Sequence, residues 1–253
     1  YEKLNIKGSA VNYAPLLGHN TIRASVMGYE ARIPEQNEIK KMELLVLEGL
    51  KQGAFGMSVG LIYPPSCYSE TEELIRLYKV VKDCDSLFTC HMRSEGNKLL
   101  ESIEEAIRIA RETGVRTQIS HLKTAGRKNW NKIHRVLSLI ENVLENGLDI
   151  ACDRYPYTAS NTGLSALLPD WAFEGGIKKL MERLQDKSTR TMIKKEILQN
   201  HPEPEHWQTV MISRLVSSKN KDLEGKKVSE GAELRNKDIF AFIFDLLVEE
   251  QSQ

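Results

Sequence analysis

Between residues 54 and 157 short apolar runs alternate with amphipathic stretches, and this restricts the fold more than any other feature of the chain. The runs are AFGMSVGL (54–61), SLFTCHM (86–92), RTQISHLK (116–123) and LDIACDRYPY (148–157), each of strand length. Between them, Leu74, Leu77, Tyr78 and Val81 share one helical face, as do Leu99, Leu100, Ile103, Ile107 and Ala110, and Ile133, Val136, Leu137, Ile140, Val143 and Leu144. Ser69 and Glu72 match a capping box at the first of these helices, and Gly114 and Gly147 stop the other two. Strand starts about 30 residues apart are the spacing of a βαβ unit with its right-handed crossover.

Upstream, AVNYAPLLG (10–18) reads as a strand, HNTIRASVMGYEARIPEQ as a loop, and 37–52 as a helix ending at Gly53. Near-continuous apolar strands between amphipathic helices predict a parallel sheet, either a (β/α)8 barrel or an open doubly wound sheet. No GxGxxG or GxxxxGK[ST] occurs, which removes support from nucleotide-binding versions. About five strand–helix steps are too few to close a barrel, so either three strands lie outside this chain or the sheet is open. From about residue 174 the alternation fades into two charged helices (IKKLMERLQDKSTRTMIKKEILQN), a strand QTVMISRLV and a final helix DIFAFIFDLLVEE. The expected division is 1–173, the barrel part, and 174–253, a mixed helical and strand extension or insertion.

With 35 basic and 35 acidic side chains, the formal charge is zero, which gives no reason to expect binding to nucleic acid or an acidic membrane surface. No apolar stretch reaches the roughly 18 residues of a membrane span. Cys67, Cys84, Cys90 and Cys152 have no CxxC spacing, so reduced cysteines in a cytoplasm are expected. The chain opens at Tyr1, and the expectation is of an internal piece of a longer protein.

In a parallel barrel, chemistry sits where strands end. His91 and His121, thirty residues apart, both fall at such ends, each followed two residues later by a cation, Arg93 and Lys123. One reading is a pair of polar residues at strand tips. The other is a shared ion, since neighbouring strands lie about 4.8 Å apart and imidazole is a zinc ligand. By alternation Lys123 faces inward with His121, and Arg93 with His91. Lys123 then either anchors a substrate carboxylate as a point charge or forms a Schiff base, as barrel aldolases do. Asp153, Tyr155 and Tyr157 share a parity at the end of the next strand, with packing the preferred role for Tyr157. His19 and Asn20 follow the first strand on the same face. Cys90 has the opposite parity and is not expected to be a ligand.

GHNTIR, GMSVGLIYPP followed by TEELI, HMRSEG, ISHLK and DRYPYTA together resemble the N-acyl-D-amino-acid deacylases of the amidohydrolase superfamily, over about residues 10–172. The resemblance implies a partial (β/α)8 barrel, with these strands as the third to seventh, and a helical C-terminal extension. It implies zinc-dependent hydrolysis of the amide of an N-acyl-D-amino acid, with one tightly bound zinc and a second, weaker site as the alternative. His91 and His121 correspond to metal ligands. Lys123 and Tyr155 correspond to residues holding the substrate carboxylate and carbonyl region, Tyr155 polarising the carbonyl. Tyr63 and Leu168 fall where the acyl or side-chain pocket is lined, and Arg93 and His19 join the expected substrate-binding set. The family's HxH, its metal-binding Cys and its proton-shuttling Asp have no counterpart here, so this piece alone is expected to be inactive. The rival expectations are a Lys123 aldolase and a barrel-derived binding module without chemistry.

Overall fold

The computed structural model describes residues 2–252, which form two compact units: 2–28 with 32–155, and 29–31 with 156–252. The first opens with α1 (Glu2–Lys7) and holds β1 (Leu16–Gly18), α2 (His19–Met27), α3 (Gln36–Lys51), β2 (Gly56–Gly60), α4 (Thr71–Asp83), β3 (Leu87–His91), α5 (Leu99–Thr113), β4 (Arg116–Ile119), α6 (Ile133–Glu145) and β5 (Ile150–Cys152). The five strands are all parallel and stand in sequence order. Every connection between them is helical, so the unit is the wall of a partial (β/α)8 barrel.

Alternation along the strands assigns the two faces of this wall. Met57, Val59, Phe88, Cys90 and Ile119 face the helices and share one core with Met42, Val46, Leu74, Leu77, Tyr78, Ile103 and Val136. The opposite face carries Ser58, Thr89 and Gln118 in register, with Gly60 beside His91. Gly56 is required by close approach: a Cβ there would lie 2.1 Å from the Leu87 carbonyl oxygen.

Several boundaries differ from the sequence expectation. Residues 19–27 are helix α2, not loop, because Ile22 and Met27 bury on one face and no Gly or Pro interrupts the chain before Gly28 (φ 65°). The first strand is confined to 16–18; pairing starts where the Pro15 carbonyl accepts from Phe55 N at 2.9 Å, and Pro15 itself has no N–H to give. The capping box at Ser69 does not form. Ser69 Oγ donates instead to the Ser66 carbonyl at 2.6 Å, and α4 begins at Thr71.

The second unit holds α7 (Ile177–Gln185), α8 (Lys187–Asn200), α9 (Val228–Leu234) and α10 (Ile239–Glu249) around a separate core that includes Leu180, Leu184, Ile193, Trp207, Phe240, Ile243 and Phe244. Asp186 caps α8 and Asp238 caps α10. The unit begins at 156 rather than 174, because Leu168, Ala172 and Phe173, on or beside two short 3-10 turns, join this core. The expected strand at 208–216 is reduced to one antiparallel bridge, Met211 with Lys227. Ile212 exchanges main-chain bonds only with Lys226 and Gly225, so no ladder extends from it.

Among the described residues no helix is long and apolar enough to cross a membrane, and all four cysteines are free.

Candidate metal and substrate site

His91 is the last residue of β3, and its ring meets that of His121 with centroids 4.4 Å apart, edge to face. β4 ends at Ile119, so His121 is delivered by the turn beyond it. Three main-chain bonds hold that turn: Ser120 N to the Cys90 carbonyl (3.0 Å), Leu122 N to the Asp153 carbonyl (2.8 Å) and Ala125 N to the Glu95 carbonyl (2.7 Å). His121 itself has φ 43°, and its N–H donates to Asp153 Oδ1 at 2.5 Å. Asp153 Oδ2 also accepts from Gln118 at 2.8 Å, which fixes the carboxylate beneath the turn.

Glu95 is the residue that sequence reasoning missed. Its Oε1 lies 2.8 Å from His121 Nδ1 and accepts from Lys123 Nζ, which in turn is 3.0 Å from the same imidazole nitrogen. One potential ligand atom each from His91, Glu95 and His121 fall within 4.8 Å of one another. The signal was present: Glu95 is the one acid between the end of β3 and the start of α5, four residues after His91. Imidazole and carboxylate together are a donor set that suits zinc.

His91 Nε2 is buried and has no hydrogen-bond partner among the described residues. A buried polar atom left unpaired is costly, and a bound cation would answer it. Burial, opposed by Glu95 and aided by His121 and Lys123, lowers the His91 pKa to about 4. The ring is therefore neutral at pH 7, with a lone pair to offer. These residues fit one metal ion.

Two phenols flank the pair. The Tyr63 ring stands 5.2 Å from His91, and Tyr155 stands 6.5 Å from His121 with Lys123 Nζ 5.4 Å from its centroid. The Lys123 side chain is only 9% exposed. Thus the structure brings His91, His121, Lys123, Tyr63 and Tyr155 close together.

The other expected residues stand differently. Strand pairing ends at His91, so alternation does not govern Arg93. Its guanidinium turns to both oxygens of Glu105 and to the Cys67 and Ser69 carbonyls, bracing α5 against the turn before α4. His19 is 0% exposed, with Nδ1 2.6 Å from Ser66 Oγ and Nε2 3.0 Å from Glu73, so neither nitrogen is open to a ligand. Leu168 lies in the core of the second unit. Tyr157, expected to pack, is 69% exposed. Cys90 faces the helix layer as expected, and burial pushes its thiol pKa far up.

The chain is 37% identical over 163 residues to a D-aminoacylase of Alcaligenes xylosoxydans xylosoxydans, covering 64% of this chain and 34% of that protein. An N-acyl-D-glutamate deacylase of the same organism matches at 35% identity over 162 residues, 64% of this chain and 33% of the relative. The chain is similar to the N-acyl-D-amino-acid deacylases over that stretch. It spans about a third of the length of these curated relatives. No family model matches it.

Among solved structures, a D-aminoacylase described as defining a novel subset of amidohydrolases superposes with TM-score 0.74 at 29% identity, covering 97% of this chain and 44% of its own. The N-acyl-D-glutamate deacylase of Bordetella bronchiseptica, complexed with zinc and a phosphonate mimic of the tetrahedral intermediate, superposes with TM-score 0.77 over the same shares. At 24% identity that second likeness speaks to the fold alone. The partial barrel and its helical extension therefore recur in this deacylase group.

Proposed function

We propose that the chain is the central part of a zinc-dependent deacylase that hydrolyses the amide of an N-acyl-D-amino acid to a carboxylate and a free D-amino acid. The observation that carries this is the convergence of His91, Glu95 and His121 beside a shielded cation, Lys123. The two relatives named above are a D-aminoacylase and an N-acyl-D-glutamate deacylase.

In this reading His91 and His121 hold the metal, Glu95 secures His121, and one zinc is bound tightly, with a second site weaker. The bound ion supplies Lewis acidity and a water of lowered pKa. Lys123 holds the substrate carboxylate and so fixes which enantiomer presents its amide. The Tyr155 phenol donates to the acyl oxygen as negative charge develops there. Tyr63 borders the acyl group. Addition of water to the carbonyl carbon is followed by cleavage of the C–N bond, with a proton delivered to the departing amine. In this reading the proton donor is the family's aspartate, and these 253 residues hold no counterpart of it or of the family's HxH and Cys ligands. The free cysteines agree with a cytoplasmic setting.

The rival reading, a Schiff-base lyase, needs Lys123 as a free amine. Lys123 is instead engaged as a cation by Glu95, the arrangement of a charge anchor. The test is release of D-amino acid from N-acetyl-D- and N-acetyl-L-amino acids by the full-length protein, with and without a chelator. D-selective release abolished by the chelator and restored by zinc is expected. Borohydride trapping of substrate on Lys123 would overturn the hydrolase in favour of the lyase, and zinc binding with no turnover of any amide would favour a binding module.

A further inference from the structure

His19 and Asn20 open α2 and belong to a buried polar chain that ends on the backbone carrying Tyr63. Asn20 Nδ2 donates to the Tyr63 carbonyl at 3.2 Å and to the Pro64 carbonyl at 3.1 Å. Two carbonyl acceptors fix the orientation of the amide, because only its NH2 end donates. Its Oδ1 therefore faces Ser66 and accepts the hydroxyl proton. Ser66 Oγ is left to accept from His19 Nδ1 at 2.6 Å. On its other side His19 Nε2 meets Glu73 Oε1 at 3.0 Å, and Arg23 Nε lies 3.1 and 3.3 Å from the two oxygens of that carboxylate. The direction of each bond from Asn20 through Ser66 to His19 Nδ1 follows from the one amide. Arg23, His19 and Ser66 are fully buried and Glu73 nearly so, and a satisfied network of this kind specifies a single geometry.

The far end of the chain is the candidate site. Tyr63 N donates to the Gly60 carbonyl at 3.0 Å, and Cys67 N donates to the Tyr63 carbonyl at 3.1 Å, so the turn is short and its ring direction depends on how it is anchored. The ring lies over Gly60, where a Cβ would come within 2.8 Å of Tyr63 Cδ2, and its centroid is 5.2 Å from that of His91.

We propose that Asn20 is a positioning residue for Tyr63, holding the 63–64 turn through both carbonyls so that the phenol stands against His91 and limits the length of acyl group admitted. The second half of this statement rests on the deacylase reading; the first does not.

The test uses the full-length protein with Asn20→Ala and Ser66→Ala. One readout is the imidazole C–H resonance of His91 by NMR, which senses the neighbouring ring. The other is KM and kcat over N-acyl-D-amino acids of increasing acyl length. Asn20→Ala should move the His91 resonance and change KM for long-acyl substrates by about tenfold, with kcat and the N-acetyl KM near parental, as expected for altered contacts in an apolar pocket. Ser66→Ala should do the same to a smaller degree. A purely structural role would lower kcat for all substrates in proportion to the folded fraction and leave His91 and acyl preference unchanged, which overturns the proposal. If neither variant folds, the parent decides: cross-peaks between the Asn20 amide protons and Tyr63, with slowed amide exchange, are expected, and their absence overturns it. A parent that hydrolyses no N-acyl amino acid refutes the deacylase reading, while the His91 resonance still decides whether Asn20 sets Tyr63.

Discussion

The imidazoles of His91 and His121 meet edge to face with centroids 4.4 Å apart, the first delivered by the end of β3 and the second by the turn after β4. If they share an ion, as proposed, His91→Ala should weaken zinc binding by the full-length protein beyond the about 10–100-fold typical of residues that only support a ligand. Competition against a chromophoric chelator measures it. An unchanged affinity would mean that the two rings merely pack.

Glu95 tests a different link. Glu95→Gln keeps the side-chain shape but removes the charge that joins His121 Nδ1 to Lys123. Zinc affinity should fall within the about 10–100-fold range of outer partners if Glu95 secures His121, and further if it is itself a ligand. The same chelator titration separates the two.

Lys123→Met keeps an unbranched apolar stem that is one atom shorter and carries no charge. Losing a charge-assisted bond of about 1.5–3 kcal/mol to the substrate carboxylate should raise KM by about tenfold to a hundredfold. An N-acyl-D-amino-acid amide, which lacks that carboxylate, should be turned over equally by parent and variant. A uniform loss on both substrates would place Lys123 elsewhere in the reaction.

Gly56→Ala should destabilise the first unit by about 1–3 kcal/mol, the usual cost of overpacking. The added methyl would meet main chain, the Leu87 carbonyl oxygen, rather than a side chain able to swing aside. Chemical denaturation reads the loss, and parental stability would show that β2 and β3 can move apart.

Glu38 accepts from Arg32 and from Glu35 N, and these bonds, the Arg32 guanidinium foremost, lower its pKa from 4.5 to about 2. A carboxylate depressed in the folded state binds its proton more readily when unfolded, so its stabilising contribution is complete above about pH 4.5 and is lost as pH falls towards 2. The stability difference between parent and Glu38→Gln should therefore be constant above pH 4.5 and shrink below it, as followed by thermal melts across that range.

Periodicity made the strand–helix alternation legible, because helix faces such as Leu74, Leu77, Tyr78 and Val81 bury as a unit against strand residues of one parity. His91 could be placed for the same reason, since it ends a strand. Arg93 could not: alternation stops where pairing stops, and its guanidinium follows the nearest acceptors, Glu105 and two carbonyls. His121 and Lys123 reach the site through a turn stitched to both neighbouring segments, so the parity argument placed them near the site without describing their path. Glu95 went unweighed because it lies on a loop, where no period marks which way a side chain turns. His19 looked like a site residue from its position after β1; its burial depends on Ser66 and Glu73, 47 and 54 residues away, which no local pattern reveals.

The left-handed backbone of His121, φ 43°, shapes how this position can be interrogated. Most side chains resist that twist, and asparagine is among the few that tolerate it. An alanine at 121 would therefore report a protesting main chain and a missing imidazole in one number. Asparagine isolates the imidazole, and the gap between the two variants measures how much of the turn's shape the Asp153 carboxylate alone can hold.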